Sequence, residues 1–245
     1  MTTVLGQPRS YTTRAEWVFF DVGDVLFNED PQHLLYFHSL IAAIRRNGID
    51  ITWDAYLAAI MDAVRKAPST FLNDSGIAVC GSAEAWHRIH AEGRAVYDAI
   101  RKPRPFGVLL DGITAVVEEA KKDFKVGIIA NQHPQILDAF EDYGIRSLFD
   151  VIIIDEIVGV GKPDPEIFRI ALRQANCAAE NAIIVGDRTD NDMVPGRIVG
   201  LRTLRFRRGM LYAAADPLTP EQVPDLEITD VSQLAAGIRA LGCAL

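Results

Sequence analysis

Cysteine is scarce in this sequence, and the three present (Cys80, Cys177 and Cys243) stand far apart with no paired spacing. That pattern supports neither a disulfide framework nor a zinc site. Long apolar runs are missing too, and none reaches the roughly 20 residues that a membrane-spanning helix needs. Met1 to Glu16 is polar and carries no apolar signal-peptide core. It reads as a loosely ordered lead-in, and the cytoplasm is the expected compartment. Positive charge is in deficit, with 25 Lys and Arg against 33 Asp and Glu, for a net charge of −8. A nucleic-acid backbone needs a basic face, so nucleic acid is not an expected partner, and neither is a membrane. A small phosphorylated ligand stays open, because it needs only a local cation. Low-complexity tracts and internal repeats are absent as well. What is there is an ordinary soluble composition, 49% hydrophobic and 24% charged over 245 residues. That length suits one large domain, or a core domain with an insertion.

The stretch that organises the chain is Trp17-Val-Phe-Phe-Asp21-Val-Gly-Asp24-Val-Leu26. It is an apolar strand that ends in a carboxylate and a glycine turn, as a buried strand does at the carboxyl edge of an α/β sheet. After Leu26 the period changes to helical. Leu34, Leu35, Phe37, Leu40, Ile41 and Ile44 share a helical spacing up to the stop at Asn47-Gly48. Further helices are expected over about Trp53–Lys66 and Ala83–Arg101, until Pro103-Arg-Pro105 ends the segment. From Phe106 helices and apolar strands alternate. The expected strands are Lys125–Ile129, Val151–Ile154, Ala182–Val185, Leu201–Phe206 and Leu226–Ile228. A helix is expected over Val108–Lys121, and a last one opens on Asp230 with Gln233 three residues on, in the manner of a capping box. Strands apolar throughout and separated by helices predict a doubly wound parallel α/β sheet covered on both faces. Residues 1–27 and 106–245 are then the α/β core, and 28–105 a helical cap domain.

Asp21, Asn131, Lys162 and Asp187 all fall at or just beyond the ends of separate strands. Each has a plainer reading when taken singly. Asp before Gly is a common turn, and Asp before a helix a common cap. Together they describe a site. Two carboxylates held close repel unless a cation intervenes, and magnesium takes oxygen ligands while keeping water for its remaining positions. Lys162 adds a second cation. Such a site attracts a phosphoryl group, whose charge must be neutralised before an anionic nucleophile approaches. Asp21 could then attack phosphorus and form an acyl phosphate.

In order and in context these motifs resemble the haloacid dehalogenase-like (HAD) hydrolase superfamily, over nearly the whole chain. The family's first motif, Asp-x-Asp at a strand end, is answered by Asp21-Val-Gly23, and its second, a strand ending in Ser or Thr, by Ala130-Asn131. Its lysine motif stands here as Lys162-Pro-Asp-Pro165, and its Gly-Asp with a further Asp five residues on as Gly186-Asp187 and Asp192. The resemblance implies a magnesium-dependent phosphatase of a small phosphorylated metabolite, working through a phospho-aspartate. It implies Asp21 as nucleophile and magnesium ligand, the Gly23 carbonyl and Asp187 as further ligands, and Asp192 as support for the loop. Asn131 and Lys162 would hold the phosphate, with Lys162 also pairing with the nucleophile. The helical insertion after the first motif matches an alpha-helical cap, which in the family closes over the site and selects substrate.

Two positions depart from the family. Its second motif-one Asp, the acid/base that serves the leaving group, is Gly23 here, and Asp24 is one residue too far along to point the same way. Ala130 stands where the family has a hydroxyl, which removes one phosphate hydrogen bond. Two alternatives follow. Gly23 suits haloalkanoate dehalogenation, which needs no leaving-group acid, and Gly23 with Ala130 suits a catalytically weak phospholigand-binding or regulatory protein. In the expected third helix of the cap, Ile89, Val96 and Ile100 form the packing stripe with Ala85 at its edge. Trp86, His90 and Tyr97 lie on a flank with Arg94 and Arg101 beyond, while His33, His38 and His87 have no metal-ligand spacing. Arg205, Arg207 and Arg208 are expected in solvent.

Overall fold

A computed structural model describes residues 9–100 and 107–243; the expected stop at Pro103-Arg-Pro105, with Arg101 and Arg104, lies outside the described residues. Among the described residues the strands are β1 Trp17–Phe20, β2 Phe27–Asn28, β3 Val108–Leu109, β4 Lys125–Ala130, β5 Val151–Ile154, β6 Ala182–Gly186, β7 Arg202–Phe206 and β8 Leu226–Ile228. Six of them form one parallel sheet in the order β5-β4-β1-β6-β7-β8. The chain therefore builds outward from β1 on one side, then returns and builds outward on the other. Ligands of such sheets bind at the carboxyl ends of the strands where this reversal occurs. The central strands are buried end to end, because both faces are covered. The doubly wound α/β fold is as expected.

The chain divides into two compact units. One comprises Met1–Asn28, Val108–Gly209 and Pro217–Leu245; the other comprises Glu29–Gly107 and Met210–Asp216. Among the described residues the second unit carries the helices α1 Asp30–Arg46, α2 Trp53–Lys66, α3 Phe71–Cys80 and α4 Ala83–Ile100. Helix α3 was not expected, because Asn73, Asp74, Ser75 and Gly76 are poor helix formers. Tertiary packing explains it. Trp86 is fully buried with its ring over Gly76, where an added Cβ would come within 2.1 Å of the indole, and its Nε1 donates to Asn73 at 3.1 Å. The packing stripe of α4 is accordingly corrected to Trp86, Ile89, Gly93 and Tyr97, and Ile100 is 53% exposed. Gly93 makes the difference. A Cβ there would lie 3.1 Å from the Cα of Leu40, so α1 approaches closely along this face and the aromatics pack beside the gap. His90 bonds to Tyr36 at 2.6 Å, and Arg94, ion-paired to Asp98 at 2.9 Å, lines a cavity of about 250 Å³ with Tyr36 and Tyr97. Met210–Asp216, expected in the core domain, belongs to this unit, with Leu211 and Ala215 buried in its apolar centre.

The first unit carries the sheet and the remaining helices, α5 Ile113–Ala120, α6 Ile136–Asp142, α7 Asp155–Val158, α8 Glu166–Ala175, α9 Val194–Val199 and α10 Val231–Gly242. The expected helix over Val108–Lys121 is corrected here. Val108 and Leu109 pair antiparallel with Asn28 and Phe27, and α5 starts only after Gly112, whose φ of +78° suits glycine. Asp230 and Gln233 form the expected capping box. Among the described residues no helix is long and apolar enough to cross a membrane.

Candidate active site

Three adjacent strands, β4, β1 and β6, are followed directly by Asn131, Asp21 and Asp187. Asp21 extends the ladder, its amide donating to the carbonyl of Val185 at 2.9 Å. Its Oδ1 accepts from the Val22 amide at 2.7 Å and lies 2.7 Å from Nζ of Lys162. Both contacts fall on one oxygen, so among the described residues Oδ2 has no hydrogen-bond donor. Asp24 has a partner of its own. It sits in the left-handed region at φ +51°, buried, and its Oδ1 accepts from Arg208 at 3.1 Å. Gly209 lies against this carboxylate, where any Cβ would come within 2.5 Å of Oδ2.

Lys162 arrives from the loop between α7 and α8 and is held through its peptide. Asn131 donates Nδ2 to the Lys162 carbonyl and accepts the Lys162 amide on Oδ1, both at 2.7 Å. One amide hydrogen of Asn131 is left for a ligand. Gly161 permits this clamp, since a Cβ there would crowd Oδ1 of Asn131 at 2.9 Å. The ammonium then bridges Asp21 and Asp192, each at 2.7 Å.

Asp187 follows β6 and opens a wide turn, Thr189–Met193, of π-helical form. Turns of this kind recur at functional sites. Asp192 folds back across it, accepting the Arg188 amide at 3.1 Å and packing against Gly186, where a Cβ would come within 2.3 Å of its Cγ. The carboxylates of Asp21, Asp187 and Asp192 thus come within 4.8 Å of one another, all buried. Among the described residues the Asp187 carboxylate accepts no hydrogen bond. Burial, with Asp192, Asp21 and Asp24 nearby, pushes its carboxyl well above the ordinary range. Burial also lifts Asp192 to about 6 against the pull of Lys162. Burial alone would lower Lys162, but Asp192 and Asp21 outweigh it and hold the ammonium charged.

The structure thus brings Asp21, Lys162, Asp187 and Asp192 into one cluster, with Asn131 attached through Lys162. Gly23 stands two residues beyond Asp21 and bridges to Phe27. Arg205, expected in solvent, is instead fully buried, and its Nε donates to the Asp187 carbonyl at 3.0 Å. A charged residue inside a strand of a two-sided sheet is itself the signal that it has a buried partner.

The family model for haloacid dehalogenase-like hydrolases matches residues 15–200. The phosphoserine phosphatase of Thermus thermophilus is 25% identical over 215 residues, 86% of this chain and 80% of that protein. The glyceraldehyde 3-phosphate phosphatase of Methanopyrus kandleri is 32% identical over 148 residues, 58% of this chain and 59% of the relative. Among solved structures, a HAD phosphatase from Thermococcus onnurineus superposes with a TM-score of 0.59 at 18% identity, covering 91% of this chain and 97% of that one. With its model matched from before the first strand to the end of α9, the chain belongs to the haloacid dehalogenase-like hydrolase family.

Proposed function

We propose that the protein is a magnesium-dependent phosphatase of a small phosphorylated metabolite, working through a phospho-Asp21 intermediate. One observation carries this reading. Asp187 is a buried carboxylate with no hydrogen-bond donor among the described residues, within 4.8 Å of two further carboxylates. A buried charge in that position calls for a cation, and an all-oxygen donor set suits magnesium. Asp21, the Gly23 carbonyl and Asp187 would hold the ion, which when bound supplies positive charge to the phosphoryl oxygens. Asp192, committed to Lys162 and the Arg188 amide, supports the loop.

This chain's own residues then account for the chemistry. Oδ2 of Asp21 is the free nucleophilic oxygen, because Lys162 and the Val22 amide fix Oδ1. It attacks phosphorus, the bond from phosphorus to the leaving oxygen breaks, and an acyl phosphate forms on Asp21. Water then attacks phosphorus, releasing phosphate and restoring the carboxylate. Lys162 and the remaining amide hydrogen of Asn131 hold phosphoryl oxygens. The leaving oxygen takes its proton from water, since Gly23 offers no carboxyl. The phosphatases among the curated relatives point to the same substrate class. A haloalkanoate dehalogenase would use the same nucleophile but gives the Asp187 carboxylate nothing to do. Turnover across a panel of phosphometabolites, with magnesium and with chelator, tests the reading. Magnesium-dependent release of phosphate is expected, and a panel without turnover would favour a binding-only protein.

Metal binding is checked separately by melting. A ligand that binds only the native state stabilises it by about 2.7 kcal/mol at a hundredfold excess over Kd. For a chain of this size that is about 5–10 °C in Tm. Asp187→Ala should abolish the rise. The effect should also depend on pH. A carboxyl whose folded pKa is raised keeps its proton longer than in the unfolded chain, so its stabilisation is present in acid and lost as pH rises through the folded value. The cation must displace that proton. The magnesium-induced rise in Tm should therefore be small at about pH 5 and larger at about pH 8. An equal rise at both, or one that survives in Asp187→Ala, places the ion elsewhere.

A further inference from the structure

Arg205 lies on β7, where the sheet register sets it directly beside Gly186 of β6 and Glu227 of β8. Its side chain is fully buried and joins those neighbours. Nε donates to the main-chain carbonyl of Asp187 at 3.0 Å, and Nη1 meets Oε2 of Glu227 at 3.1 Å. Glu227 is only partly covered and is shared with Arg207 at 3.4 Å, so water reaches the far end of the row while the guanidinium stays dry. A dry guanidinium is costly to bury unless its hydrogen bonds are made, and its flat fork fixes their directions. One of those directions ends on the peptide of Asp187. The following turn is pinned a second time by Asp192 on the Arg188 amide, so the segment that carries the Asp187 carboxylate is tied at its own carbonyl and one residue on.

We propose that Arg205 is a positioning residue for the cation site: held by Glu227, it fixes the Asp187 peptide and so the angle at which the Asp187 carboxylate meets those of Asp21 and Asp192. The functional consequence rests on the reading of the site as a magnesium phosphatase; the fixing of the loop does not, and is measured without metal. Residues that orient metal ligands through hydrogen bonds typically change metal affinity by about 10- to 100-fold when removed. Lysine in place of Arg205 keeps the charge but has no planar fork to span Asp187 and Glu227, so it should restore the site only in part.

The test uses the full chain as wild type, Arg205→Met, Arg205→Lys and Glu227→Gln. In metal-free protein, amide hydrogen exchange over residues 187–193 should be about tenfold faster in Arg205→Met, with β4 and β5 unchanged. Arg205→Lys should fall between it and wild type. Magnesium Kd by calorimetry should weaken by about 10- to 100-fold in Arg205→Met, while kcat at saturating magnesium changes far less. Unchanged exchange in the turn of a folded Arg205→Met overturns the proposal. So does an acceleration spread evenly through the sheet, which is what loss of a purely structural contact would produce. If Arg205→Met does not fold, Glu227→Gln decides, because it loosens the guanidinium without removing it. Faster exchange confined to residues 187–193 supports the proposal, and wild-type exchange there overturns it. A wild type that ignores magnesium sinks the reading of function, and the exchange comparison still decides the role of Arg205.

Discussion

Asp21→Asn is expected to lower turnover by about ten-thousandfold or more while leaving a folded protein. The loss follows from the chemistry, since an amide oxygen is a poor nucleophile and leaves no carboxylate to become the acyl phosphate. The fold should survive for reasons visible in the site. Asparagine has the shape of aspartate, its oxygen still accepts from the Val22 amide, and Lys162 keeps Asp192 at 2.7 Å as a charged partner. Removing one of three buried carboxylates also relieves repulsion, so the metal-free variant should melt no lower than wild type. Circular dichroism and melting establish the fold, and phosphate release from the best substrate of the panel measures turnover. A folded variant that turns over near the wild-type rate would rule Asp21 out as nucleophile.

The second large effect is a gain. Where the family places an acid, this chain has Gly23, so departure of the leaving group should depend on its own basicity. Aryl or anomeric sugar phosphates should be hydrolysed much faster than simple alkyl phosphates. Gly23→Asp should raise the rate on poor leaving groups most, by up to about a hundredfold if the carboxyl is well placed. Gly23 is not one of the positive-φ glycines among the described residues, so the backbone itself does not resist a side chain. Asp24 offers no substitute, because its carboxylate is held by Arg208 in a left-handed turn. Plots of rate against leaving-group pKa for both proteins measure this, once the variant is shown to fold and bind magnesium. A steep wild-type slope that flattens in Gly23→Asp is the expected result. A wild-type slope that is already flat would mean that another group supplies the proton.

The sequence by itself determined the parallel sheet and the places where its strands end. The strands Ala182–Gly186 and, beyond its exposed first lysine, Lys125–Ala130 are apolar because both faces are buried, and that is written in composition alone. Asp21, Asn131, Lys162 and Asp187 were legible for a related reason, since a charged or amide residue that closes an apolar strand marks the sheet's carboxyl edge. Their convergence, with Asp192 bridging from beyond the turn, was decided only by the tertiary structure. The strand order that seats β1 between β4 and β6 depends on contacts more than a hundred residues apart. The same holds for what was misread. Helix α3 exists because Trp86 needs Gly76 beneath it, and Met210–Asp216 joins the helical unit because Leu211 and Ala215 fill its apolar centre. Arg205 looks like a solvated charge until the register places it between Gly186 and Glu227, where the carbonyl of Asp187 and a carboxylate make burial of a guanidinium affordable. Periodicity reports which face of an element is apolar. It does not report which neighbour meets that face, and both the packing of α4 and the partner of Arg205 depend on the neighbour.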